Sequence, residues 1–179
     1  MGVGTWAYLV DLERLRSTIG SKDAPLQASL EGKHSEYLGQ EDERIRVYGE
    51  GEDEVSPREA LRRLIDGTIP SNCDGGYLSA FEMLCAELGE RLDDEDLLAD
   101  LWDLNIETAL LRSGPPIPLP GLEDRIGFLT PNEAADEFDR LKERDLSDED
   151  EDIQAAREKF RSLLEQARSA GKALVTVTC

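Results

Sequence analysis

Apolar positions along the chain recur at two spacings, every second residue or every third and fourth, and each spacing predicts an element. Thr5-Trp6-Ala7-Tyr8-Leu9-Val10 is aromatic and β-rich, and reads as a strand. Asp11 then stands at an N-cap position, with Leu12, Leu15 and Ile19 on one face of a short helix that Gly20 ends. Residues 21–55 are weakly patterned and support a short helix near Leu26–Leu30 and a short strand over Ile45–Tyr48. Ser56-Pro57-Arg58-Glu59 is a capping box with Pro at the first helical position. The Ser oxygen accepts an orphan N–H while Glu59 reaches back, and the helix presents Ala60, Leu61, Leu64 and Ile65 before stopping at Gly67. After the loop I-P-S-N-C-D-G-G, a helical stripe runs through Tyr77, Phe81, Leu84, Cys85, Leu88 and Leu92. A further helix is expected from Asp93 or Asp94 to about Arg112, carrying Leu97, Leu98, Leu101, Trp102 and Leu110.

The last third is equally regular. Four prolines within positions 115–120 exclude helix and ladder, so 114–122 is an extended crossing. A rigid connection is preferred to a polyproline ligand there, because a strand, Ile126-Gly127-Phe128-Leu129, follows at once. Thr130-Pro131-Asn132-Glu133 is a second capping box, opening a helix with Ala134, Phe138 and Leu141 inward. An acidic turn at 145–152 leads into a final helix with Ile153, Ala156, Phe160, Leu163, Leu164 and Ala167 on one stripe. Gly171 ends it, and Ala173–Thr178 is a terminal strand. This order predicts an α/β (α+β) fold: a small mixed sheet containing the N- and C-terminal strands, covered by several amphipathic helices, as a single domain over 1–179. At 179 residues such a domain buries roughly 70% of its unfolded surface.

Three of these segments carry a resemblance. T-W-A-Y-L-V-D-L-E-R-L-R-S-T-I-G, I-G-F-L-T-P-N-E-A-A-D-E-F and G-K-A-L-V-T-V-T are similar to the opening strand and helix, a later element and the closing strand of the YfbM-like proteins, a bacterial family of unknown function. Residues 21–125 depart from that pattern. The resemblance implies an α/β fold with both chain ends in one sheet, and it carries no catalytic residues.

Charge changes the picture more than composition does. Lys and Arg total 20 against 40 Asp and Glu, for a formal charge of −20. Ordinary nucleic-acid binding is excluded on that ground, since a phosphate backbone needs a basic surface to displace its counterions. The acid is concentrated. Segment 41–54 carries −5, 93–103 carries −6 and 143–152 carries −6, leaving only −3 for the remainder. Helix-dipole preference accounts for part of 93–96 and 148–152 but poorly for 41–54. No apolar run reaches the roughly 20 residues of a bilayer span. The N-terminus lacks a basic n-region, and Trp6 stands where a myristoylation site wants Ser or Thr. Cys73, Cys85 and Cys179 are odd in number and widely spaced, which suits reduced thiols in a cytoplasm.

Searching for chemistry yields little. His34 is the chain's one histidine and reads as a solvated surface residue, with no local nucleophile signature. Cys85 lies on an apolar stripe, whereas Cys73, beside Asp74 in a Gly-rich loop, is expected to be exposed but unreactive. Zinc spacing is absent. Counted from Asp145, an EF-hand loop would need Gly at Asp150 and Glu at Ala156, so calcium fails too. No phosphate-loop G-K-[ST] occurs. No catalytic residue, cofactor or metal is therefore assigned.

The leading expectation is an acidic cytoplasmic interaction module, of the immunity or inhibitor type, that binds a basic protein partner. Its partner-binding residues would be Asp93, Asp94, Glu95, Asp96 and Trp102, with Asp148, Glu149, Asp150, Glu151 and Asp152. The alternative is a small-molecule-binding or enzymatic domain with a pocket near residues 72–77, where Gly75 and Gly76 permit close ligand approach. A DNA mimic ranks third.

Overall fold

Two strands from opposite ends of the sequence form the centre of the fold. In the computed structural model, which describes residues 5–48, 54–92, 114–142 and 151–178, β1 (Thr5–Val10) and β4 (Ala173–Thr178) pair antiparallel along their whole length, from Thr5 opposite Thr178 to Val10 opposite Ala173. β2 (Gly89–Arg91) adds to the free side of β1, and β3 (Ile126–Leu129) to that of β4, giving the order β2-β1-β4-β3. The α+β class and the shared sheet for the two chain ends are as expected. Among the described residues every strand pairing is antiparallel.

Strand alternation then sends side chains to two faces. Tyr8, Val10, Ile126, Phe128, Val175 and Val177 belong to one buried cluster, whereas Ala7, Leu9, Leu129 and Leu174 belong to another. The first face is covered by α1 (Leu12–Thr18), α2 (Ala24–Lys33), α3 (Ser35–Tyr48), α4 (Pro57–Asp66) and α5 (Gly75–Leu88). The second is covered by α6 (Pro131–Lys142) and the 20-residue α7 (Glu151–Ala170). α5 is the keystone of the first layer. Tyr77, Leu78, Ala80, Phe81, Met83, Leu84, Cys85 and Leu88 are all buried, as in a helix apolar on most sides.

Local chemistry explains most boundaries. The Asp11 carboxylate accepts the Glu13 and Arg14 N–H groups at 2.9 and 3.1 Å. The Thr130 box closes both ways: Glu133 N–H donates to the Thr130 hydroxyl, and Thr130 N–H to the Glu133 carboxylate at 2.9 Å. The Ser56 box does not follow its prediction. Ser56 accepts from Glu59 N–H, but the Glu59 carboxylate turns to Arg62 and Arg63 instead of reaching back.

Two elements differ from expectation. Ile45–Tyr48 ends a helix and forms no strand. The Glu41–Arg44 and Glu43–Arg46 pairs, each one turn apart, support the helix over the β-favouring residues of this stretch. The stripe traced to Leu92 breaks at Leu88, where the chain enters β2. A side chain at Gly89 would place its Cβ 2.4 Å from the Leu9 carbonyl, so only glycine admits this approach of helix end to strand. Within the Pro-rich stretch, Ile117, Leu119 and Leu122 are buried in the first cluster, Arg16 donates to the Pro116 carbonyl, and Cys73 N–H donates to that of Pro120. No helix among the described residues is long and apolar enough to cross a membrane.

Candidate functional site

Of the expected partner-binding residues, Asp93, Asp94, Glu95, Asp96, Trp102, Asp148, Glu149 and Asp150 lie outside the described residues, as does the helix expected over 93–112. Glu151 is exposed and opens α7, with Asp152 next in the same helix. The acids of 41–54 that are described do not stand as bare charge. Glu41 and Glu54 hold Arg44 at 2.8 and 2.7 Å, Glu43 holds Arg46, and Asp42 holds Arg58 at 2.7 Å. Burial pushes the Asp42 carboxyl up, but hydrogen bonds with Arg58 and Ser56 and the Arg58 charge outweigh it and hold the group below its ordinary range.

α3, which carries these acids, is unusual in how little it buries. Only Leu38 is buried, and the exposed large apolar side chains of the described residues, Tyr37, Val47 and Tyr48, all lie on this helix. Tyr48 is 74% exposed. Tyr37 and Tyr48 are about three helical turns apart and so share a face, with Glu41 and Arg44 between them.

Beside α3 the chain forms a groove of about 260 Å³. Tyr8 of β1 forms its base. Ser79, Glu82, Met83 and Ala86, one face of α5, form a wall. His34, Tyr37 and Arg91 complete the rim. The Tyr8 hydroxyl donates to Glu82 Oε1 at 2.7 Å, and that of Tyr37 to Ser79 Oγ at 3.1 Å. Burial, then the carboxylate of Glu82, push the Tyr8 phenol well above its ordinary value, so it stays a donor. The Arg91 guanidinium stacks on the Trp6 ring at 4.0 Å. His34 is half-buried here instead of fully solvated, and its N–H closes α2 on the Leu30 carbonyl. The expected pocket was elsewhere. Ser79 and Glu82, three apart on a largely apolar helix, are the signal in the sequence for this one.

The 72–77 loop is occupied by folding contacts. Asp74 caps α5 through Gly76 N–H and also accepts Val55 N–H at 2.9 Å. A Cβ at Gly76 would lie 2.0 Å from the Val55 carbonyl, so the close approach that this glycine permits is to the chain itself.

One family spans this architecture. The description "domain of unknown function (DUF7691)" matches residues 1–179. The chain belongs to this family. Comparison with curated proteins and with solved structures gave no match.

The remaining chemistry of this DUF7691 chain is muted. Cys73 is buried, contrary to expectation, because its loop is tied to Pro120. Desolvation, with Asp74 and Glu123 nearby, pushes its thiol up to about 11. Cys85 is fully buried, and burial raises it further. Among the described residues, no three His, Cys, Asp or Glu side chains are grouped to hold a metal ion.

Proposed function

We propose that this protein is an interaction module that binds a basic protein partner, as an immunity or inhibitor protein does. The observation that carries the reading is α3. It is an acidic helix whose arginines are held by its own acids and Glu54, and it turns Tyr37, Val47 and Tyr48 to solvent. Exposed tyrosines on a charged surface are the residue type that anchors interfaces, and surrounding acid steers a basic partner toward them. In the sequence, Asp93–Asp96 and Asp148–Asp152 supply further acid and Trp102 a candidate aromatic anchor, and the reading is of a cytoplasmic protein. A relationship to the YfbM-like proteins belongs to this proposal, supported by the pairing of β1 with β4.

Affinity capture with the full chain tests it. A basic protein should be retained at low salt and released at high salt, because its association with acid is screened. The double variant Tyr37→Ser/Tyr48→Ser should lose that protein, with circular dichroism unchanged. Asparagine and glutamine in place of the acids at 93–96 and 148–152 should slow association. Capture indifferent to salt and to both sets of substitutions would overturn the reading.

A further inference from the structure

The groove beside α3 opens against the helix that turns Tyr37 and Tyr48 to solvent, and Tyr37 belongs to both features. Its polar rim is already engaged within the fold. The Tyr8 hydroxyl donates to Glu82, the Tyr37 hydroxyl to Ser79, and the Arg91 guanidinium lies over the Trp6 ring at 4.0 Å. What the concavity adds to those contacts is apolar surface. Met83 and Ala86 supply it from α5, and the Tyr37 ring supplies it from α3. A thioether and an aromatic ring both pack favourably on a further aromatic ring. At about 260 Å³ the groove is smaller than the roughly 300–1,000 Å³ of ligand pockets, and it suits one large side chain better than a whole small molecule. Its walls belong to a strand and two helices, so secondary structure holds their spacing before anything binds.

Charge says what carries that side chain. The chain as a whole stands at −20, and next to Tyr37 the exposed Glu36 has no ion pair among the described residues. Acid beside an apolar pocket favours a basic segment with an aromatic anchor set in it. Resting on the interaction reading above, we propose that this groove is the anchor pocket of the interface. It takes one aromatic side chain of the basic partner, flanked there by Lys or Arg, while Tyr48 meets the same partner about 16 Å farther along α3.

NMR titration of the full, isotope-labelled chain with N-acetyl-L-phenylalaninamide tests the pocket without the partner. Shifts at the Tyr37, Ser79, Met83 and Ala86 amides should saturate, half-complete at about 1 mM, the range for so small a probe. N-acetyl-L-alaninamide should bind about tenfold more weakly or worse. Ala86 is exposed, so Ala86→Trp fills the groove from outside the core. That variant should weaken the probe about tenfold with circular dichroism unchanged, whereas Ala86→Ser should leave binding as it was. The Ala86→Trp chain should also lose the basic protein that the wild-type chain captures. No saturating shift at these amides, alaninamide binding equally well, or probe binding unchanged in Ala86→Trp would each overturn the proposal. A partner held equally by the wild-type and Ala86→Trp chains overturns the anchor and leaves the interaction reading standing. A probe that binds while no partner is captured overturns the interaction reading and leaves the aromatic pocket.

Discussion

The two faces of the sheet are built by different means. On one, five helices and the Pro-rich stretch converge on Tyr8, Val10, Phe128, Val175 and Val177, bringing together segments from the start, middle and end of the chain. On the other, α6 and α7 lay a stripe of Ala134, Leu141, Phe160, Leu163, Leu164 and Ala167 over Leu9, Leu129 and Leu174. The second face is a leucine-and-alanine layer of two helices that also buries Glu137 and Arg157. Arg168 links its two helices, stacking on Phe138 at 5.6 Å and reaching Asp139 at 3.5 Å. The first face contains the groove and the exposed helix, whereas most of the buried polar side chains, Thr5, Thr176, Glu137 and Arg157, lie on the second. The groove and the exposed helix therefore both lie where segments distant in sequence converge.

Substituting equivalent residues on the two faces is the strongest way to break that comparison. Leu84 and Leu164 are both fully buried. Each change to Ala should destabilise by about 2–5 kcal/mol, with Leu84→Ala at the upper end, because converging helices relax less into a cavity than a two-helix layer does. Denaturant titration of both variants measures this; equal or reversed costs would remove the distinction. Smaller effects sharpen it at the helix caps. Thr130→Ala should cost about 1 kcal/mol, and Ser56→Ala less, because only the Thr130 box is reciprocated. Thermal melts of the pair should rank them so.

The smallest effect concerns the pair that fastens α3 to α4. Asp42 is held below its ordinary range, so Arg58 and Ser56 stabilise the fold fully above about pH 4, the unfolded value, and that contribution is lost as pH falls through the depressed one. Asp42→Asn should cost no more than about 1 kcal/mol at neutral pH, since the pair is partly exposed, and nothing at the acid end. Stability measured against pH for both proteins would show the curves converge on acidification.

Much of the fold was legible because its signals are local. A cap such as Asp11 or Thr130 acts on N–H groups two or three residues away, and the stripes of α4 and α7 repeat within a few turns. What stayed hidden depends on partners distant in sequence. The β character of Ile45–Tyr48 yields to a helix whose Asp42 and Arg44 pair with Arg58 and Glu54, sixteen and ten residues on. Cys73 looked exposed beside two glycines, yet Pro120 draws its loop inward. Asp42, one of the acids of 41–54, finds its cation in Arg58, sixteen residues away.

The sequence by itself determined the α+β class, most of the described helices and strands, and a charge of −20 that no packing can alter, because propensity, capping and net charge are properties of short stretches and of sums. Only the tertiary structure decided that β2 would leave α5 at Gly89 and that α3 would keep its tyrosines in water. It alone placed Tyr8, Glu82 and Arg91 around one groove. Those outcomes depend on distances between side chains that the chain order keeps apart, which folding sets and spacing along the chain does not record.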